Sequence, residues 1–157
     1  MGVHASVYCN CYETGRLRIQ PPRPDLIYVE DNGCLSTRGL EDFKRFYAWL
    51  EGQPCDHEMG VAVFHPIGNI ARVSFLREQL QKERDSFPLI LSKVLYDGTH
   101  GGDFIPVEVV EDMRTEIAKL HHVHLVDPVE EGMFRLFEDQ ITELVRCSLE
   151  MRKPISF

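Results

Sequence analysis

Apolar and polar positions alternate at the start of the chain. Val3, Ala5, Val7 and Cys9 recur with a period of two, which predicts a half-buried strand over residues 3–9. Leu26, Ile27, Tyr28 and Val29 predict a second strand over 25–30. Asp31-Asn32-Gly33 follows, and Asn and Gly tolerate the positive φ of a tight turn, so Cys34 and Leu35 begin a short return strand. The period then changes. Leu40, Phe43, Phe46, Tyr47 and Leu50 fall at helical spacing, which predicts a helix over 40–51 with Ser36 or Thr37 as its cap and Gly52 as its stop.

Residues 61–65 form a short apolar run and are expected to be a strand. Gly68-Asn69 opens a helix with Ile70, Val73, Leu76 and Leu80 on one face. The run 87–96 is apolar throughout, and periodicity alone does not separate strand from helix there. It is read as helical first and extended over Val94-Leu95-Tyr96. A loop over 97–103 leads to Pro106, a first-turn proline, and a helix with Val110, Met113, Ile117 and Leu120 inward. Asp127-Pro128 opens the last helix, over 129–151, with Met133, Phe137, Ile141, Leu144, Val145 and Ser148 on its face. Lys153-Pro154 stops it, and Ile155-Ser156-Phe157 is an apolar tail expected to dock on the body.

Strands come early and helices late, the pattern of an α+β fold. The expectation is a single domain over 1–157, a small, mostly antiparallel sheet from the N-terminal half packed against three to five helices. A chain of 157 residues buries enough surface to fold without a staple. No run approaches the roughly 18 apolar residues of a membrane span, and residues 1–8 lack the pattern of a secretory signal. The five cysteines, an odd number, then read as reduced thiols in a cytoplasmic protein.

Charge narrows the partners. The net charge of −8 argues against nucleic acid, which wants a basic face. Between residues 107 and 151 eleven acids face four bases, so the later half is the acidic one. That asymmetry suits a basic protein partner steered to this half, and it equally suits a solvated surface.

Three clusters carry possible chemistry. Cys9-x-Cys11 and Cys55-x-His57 together supply three thiolates and an imidazole, the donor set of a tetrahedral zinc site, although the one-residue gaps are tighter than usual and the pairs lie far apart. The simpler reading is a set of inert buried cysteines and a polar turn. The loop Asp97-Gly98-Thr99-His100-Gly101-Gly102-Asp103 combines glycines with ionisable groups. His100 and Asp103 could work as an acid–base pair there, with hydroxyls from Thr99 and Tyr96. The simpler reading makes Asp103 a cap for the following helix and gives His100 a backbone carbonyl. His121, His122 and His124 form a histidine tract, better explained by a helix C-terminus than by a metal. His65 could face the same site as His57, and a core histidine with one hydrogen bond is the plainer assignment.

The order Met1-Gly2, Cys9-x-Cys11, Cys55-x-His57, Gly68-Asn69-Ile70, Val94-Leu95-Tyr96-x-Gly98-Thr99-His100-x-Gly102-Asp103 and Lys153-Pro154-Ile155-x-Phe157 resembles a family of uncharacterised bacterial proteins. The resemblance spans nearly the whole chain. It implies a bacterial cytosolic origin and a shared fold, and no activity. With no strong enzyme motif in the sequence, the expected function is a protein-binding module. An immunity-type protein that neutralises a bacterial toxin through its acidic surface is the leading form. The alternative is a metal-assisted or acid–base enzyme with its site around the 97–103 loop.

Overall fold

A computed structural model describes residues 2–157. The alternation at the start of the chain becomes β1 (Gly2–Tyr8), with Val3, Ala5 and Val7 buried. A hairpin of β2 (Ile27–Val29) and β3 (Leu35–Thr37) turns at Asp31-Asn32-Gly33 as expected, with Gly33 at a φ of 90°. Next come α1 (Phe43–Glu51), β4 (Val61–Asn69), α2 (Ile70–Gln81), β5 (Phe104–Ile105), α3 (Val107–Ile117), α4 (Pro128–Met151) and β6 (Ile155–Ser156). The main sheet has the order β4-β1-β6-β5, every pair antiparallel. The fold is α+β.

One side of β1 and β4 is covered by α2 and α4, and α3 lies along α4. Val73, Leu76, Leu80, Phe134, Phe137, Ile141 and Leu144 are fully buried in this layer. Each such side chain contributes about 1.5–3 kcal/mol of transfer free energy. Local signals start both helices. The Asn69 side-chain oxygen Oδ1 accepts from Arg72 N at 2.9 Å, and Asp127 Oδ1 accepts from Val129 N and Glu130 N at 2.9 and 3.0 Å.

A smaller second core fills the gap between the hairpin and α1. Phe46, Trp49 and Leu50 pack there against Leu17, Ile27, Leu35 and Met59. Trp49 Nε1 donates to Ile19 O at 2.9 Å, which satisfies the indole. Lys153 ties this layer to the C-terminal segment. Its buried ammonium donates to Gly33 O at 3.2 Å and pairs with Glu13.

Several expectations need correction. Ser36 and Thr37 lie in β3 and do not cap a helix; α1 begins at Phe43 after a 3-10 turn over Leu40–Asp42, with no side-chain cap. The inward face of α1 is Phe46, Trp49 and Leu50, while Leu40, Phe43 and Tyr47 point outward, with Leu40 91% exposed. Ile70 is likewise exposed at the first turn of α2. Val94-Leu95-Tyr96 is not extended. Residues Ile90–Val94 form a π-helical turn, with Leu95 N donating to Ile90 O at 2.9 Å. The turn is fixed from outside. Buried Glu116 accepts from Leu89 N and Ile90 N at 2.8 and 2.9 Å, while His100 Nε2 and Arg77 Nε occupy the carbonyls of Val94 and Leu95. The apolar tail does dock, and it does so as an inner strand of the sheet, Ser156 pairing with Ser6 on one side and with Phe104 on the other.

Candidate metal centre

Strand β1 ends at Tyr8, and the chain continues its pairing for one residue more: Cys9 N donates to Gly60 O at 2.8 Å. It then folds back in a tight turn, with Thr14 N on Asn10 O and Arg16 N on Cys11 O. Asn10 Nδ2 anchors the turn to Met151 O at 2.9 Å. The second loop arrives from α1. Arg18 N donates to Pro54 O at 2.7 Å and brings Cys55 against the turn. Met59 and Gly60, both at positive φ, reverse the chain into β4. Gly60 supplies this conformation without a Cβ penalty; Met59 takes it at a cost.

These turns place four donor atoms within 4.8 Å of one another: the Sγ atoms of Cys9, Cys11 and Cys55 and a ring nitrogen of His57. Among the described residues this is the group of Cys, His, Asp and Glu that meets metal-binding geometry. Cys9 Sγ and Cys55 Sγ are 3.8 Å apart. His57 Nδ1 lies 3.4 Å from Cys11 Sγ and 3.9 Å from Cys55 Sγ. A zinc tetrahedron with Zn–S near 2.3 Å and Zn–N near 2.0–2.1 Å has S···S edges of about 3.8 Å and S···N edges of about 3.6 Å. The Cys9–Cys55 separation sits on the S···S edge, and the two S···N separations fall on either side of theirs.

The three cysteines are buried and His57 is half-buried. Burial pushes the Cys9 thiol up to about 12, and the neighbouring thiols Cys55 and Cys11 add to the shift. Burial raises Cys11 as well. Both shifts disfavour the thiolates of Cys9 and Cys11, and a bound divalent ion would supply the charge that stabilises them. Arg18 and Asp56 form an exposed ion pair at 2.7 Å on the rim of the loop. The sequence named the four donors. It did not name Pro54 O, Gly60 O or Met151 O, the backbone carbonyls that join the two loops to each other and to α4. The pair Met59-Gly60 ahead of an apolar strand was the available signal for the second reversal.

The loop at 97–103 is built differently. The His100 side chain is fully enclosed, stacked on Phe157 at 4.5 Å and edge-on to Tyr96 at 4.4 Å. Its Nε2 donates to Val94 O at 2.7 Å, the backbone carbonyl expected under the simpler reading. Its Nδ1 lies 3.8 Å from Asp103 Oδ2 and has no hydrogen-bond partner among the described residues. Tyr96 OH donates to that same carboxylate. Asp103 does not cap α3, whose start at Pro106 has no side-chain cap; its carbonyl accepts from Phe157 N at 2.8 Å and holds the chain's last residues. Thr99 is exposed and joins none of these contacts. Tyr96, His100 and Asp103 are thus brought together, and Thr99 is not. Tyr96 and Asp103 also line a cavity of about 350 Å³ with Lys93 and Phe104.

The other histidines disperse. His65 Nε2 contacts Glu143 Oε2 on α4 at 2.6 Å and takes no part in the cysteine cluster. His121 and His122 are exposed with their rings 3.7 Å apart, and His124 turns to Glu131 at 3.6 Å. No helix of the described residues is long and apolar enough to cross a membrane. No family model matches the chain, and neither a curated protein nor a solved structure does.

Proposed function

We propose that this protein binds one zinc ion at Cys9, Cys11, Cys55 and His57, and that the ion joins the N-terminal layer to the main sheet. The observation that carries the reading is the convergence of three thiols and an imidazole nitrogen within 4.8 Å of one another, with three of the separations near the edges of a zinc tetrahedron. Four protein donors close the coordination sphere, the arrangement of a structural site rather than a catalytic one. The ion's work is therefore to hold the turn after β1 against the loop before β4. Those segments also carry Leu17 and Met59, which wall the small core under α1. The test is elemental analysis of untagged protein from a metal-replete culture. About one zinc per chain is expected, and less than about a tenth of an equivalent would remove the reading.

A second reading has one observation in its favour. On α4, Val129 and Leu136 are exposed, and the exposed acids Glu130 and Asp139 lie beside them. An apolar stripe with an acidic rim suits a basic protein partner, as a toxin-neutralising immunity protein would need. Much of the acidity of this half is used internally. Glu111, Glu131, Glu138 and Glu150 pair with arginines, Glu143 with His65, and Glu116 with backbone amides. Val129→Glu together with Leu136→Glu should abolish capture of a basic partner from the native host; capture unchanged by the pair would end this reading.

A further inference from the structure

Helices α3 and α4 pack side by side, and a groove opens between them near the C-terminal end of α4. Helical spacing puts Arg114, Ile117 and Ala118 on one wall, at the end of α3, and Thr142, Val145, Arg146 and Leu149 of α4 on the other. The cavity measures about 550 Å³, within the range of small-molecule sites, about 300–1,000 Å³. Val145 is buried, and Ile117 and Leu149 are half-buried, so the floor is apolar. The rim is charged. Glu111 accepts from Arg114 at 2.7 Å, and both carboxylate oxygens of Glu150 accept from Arg146, at 2.7 and 2.8 Å. Arg152 completes the lining. It is exposed, with no carboxylate within 4.0 Å among the described residues.

The backbone at Arg152 is unusual. Its φ of 56° and ψ of 41° lie in the left-handed region, where α4 ends and the chain turns back towards β6. Glycine takes that conformation freely, and a side chain there adds strain. The turn enforces it, since the N–H groups of Arg152 and Lys153 both donate to Ser148 O. A position that suits glycine therefore carries a long cation, and that cation lines the groove. Strain of this kind points to function. Charge points the same way. Between residues 107 and 151 eleven acids face four bases, yet two of those bases, Arg114 and Arg146, line the groove beside Arg152. Three arginines against two glutamates leave the lining with one net positive charge.

We propose that this groove binds an aromatic monocarboxylate, the carboxylate on the Arg152 guanidinium and the ring over the apolar floor. The planar fork of N–H groups matches two carboxylate oxygens, and one net positive charge matches a monoanion. The glutamates engage the N–H edges of Arg114 and Arg146 and leave their flat faces open. Among the described residues the cation–ring contacts belong to Arg38 and Arg135 instead. Guanidinium faces without a protein ring stack well on a ligand's ring. This inference is independent of the metal centre.

Amide-resolved NMR titration of the full chain with sodium hydrocinnamate, hydrocinnamamide and sodium acetate tests it. Hydrocinnamate should shift the amides of Ala118, Arg146, Leu149 and Arg152 saturably, with a Kd below about 1 mM. Hydrocinnamamide lacks the charge and acetate lacks the ring, so each should bind at least about tenfold more weakly. Sodium cyclohexanepropanoate keeps the charge and the bulk without the aromatic ring, and it should bind no more tightly than hydrocinnamate. Arg152→Gly should weaken hydrocinnamate at least about tenfold while the thermal midpoint holds or rises, because glycine relieves the left-handed residue. The amide binding as tightly as the carboxylate, the cyclohexyl acid binding more tightly, or undiminished affinity in a folded R152G would each overturn the proposal. So would shifts confined to residues outside the groove, or no saturable binding by roughly 10 mM. The ligand comparison uses only the unsubstituted chain, so it decides the matter even where the variant fails to fold.

Discussion

Chelating the ion, or replacing Cys55 with serine, should release the turn of Cys9 and Cys11 from the loop of Cys55 and His57. Cys55 is the informative position because its sulfur lies 3.8 Å from Cys9 Sγ and 3.9 Å from His57 Nδ1, spanning both halves of the donor set. The magnitude follows from the sequence separation of 46 residues across the staple. A cross-link closing a loop of that length removes unfolded-chain entropy worth about 4 kcal/mol at 25 °C. Linkage gives the same scale, since free zinc about a thousandfold above its Kd stabilises by about 4 kcal/mol. At about 2–4 °C per kcal/mol for a chain of this size, the midpoint should fall by about 8–16 °C on chelation. Calorimetry of zinc-loaded and chelated protein measures this, and Cys55→Ser should show the lower midpoint with no further loss on chelation. Hydrogen exchange gives a local check. The amides of Cys9, Arg16 and Arg18, which bond carbonyls in and between the two loops, should lose protection, while those of Ile141 and Leu144 keep theirs. Midpoints within about 1 °C of each other, with and without chelator, would refute the staple.

Three further outcomes follow from buried polar groups. Glu116→Leu leaves Leu89 N and Ile90 N without acceptors, at about 1–3 kcal/mol each, so urea unfolding should show a loss of several kcal/mol; a loss under about 0.5 kcal/mol would contradict the role assigned to this carboxyl. Lys153→Met removes the ammonium shared by Gly33 O and Glu13, and because Glu13 is 36% exposed the expected cost is about 1–2 kcal/mol, well below that of a fully buried pair. Burial lowers the His100 pKa below 6.5, so the unfolded chain takes up this proton first as pH falls. Its contribution is complete above pH 6.5 and is lost as pH drops through that value towards the folded pKa. The stability of His100→Gln should therefore fall less between pH 7 and about pH 5 than that of the unsubstituted protein, and parallel curves would rule out the buried neutral imidazole.

Much of the N-terminal half was legible because local pattern decides it. The alternation of Val3, Ala5 and Val7 survives as a buried row, and Asp31-Asn32-Gly33 makes its turn. The last helix was legible from a capping aspartate and an unbroken apolar face. What failed was set by tertiary context. Of the helically spaced Leu40, Phe43, Phe46, Tyr47 and Leu50, the small core takes Phe46 and Leu50 and adds Trp49, because the hairpin and the 54–60 loop meet α1 on that side, and no local signal says which part of a wide apolar face will be covered. The π-helical turn depends on the carboxyl of Glu116, 26 residues beyond Ile90 in sequence. The four metal donors were legible as two pairs. Their meeting was not, because it depends on β1 lying beside β4, a contact between distant parts of the chain.

The place of β6 inside the sheet sets an order of events during synthesis. Ser156 pairs with Ser6 and with Phe104, so β1 keeps one hydrogen-bonding edge open until residue 155 has left the ribosome. Pairing across so long a separation is slow, and an open strand edge invites intermolecular pairing in the interval. Strand β6 should therefore act as a late lock on the fold, and chains arrested before Lys153 should aggregate rather than accumulate as a native form.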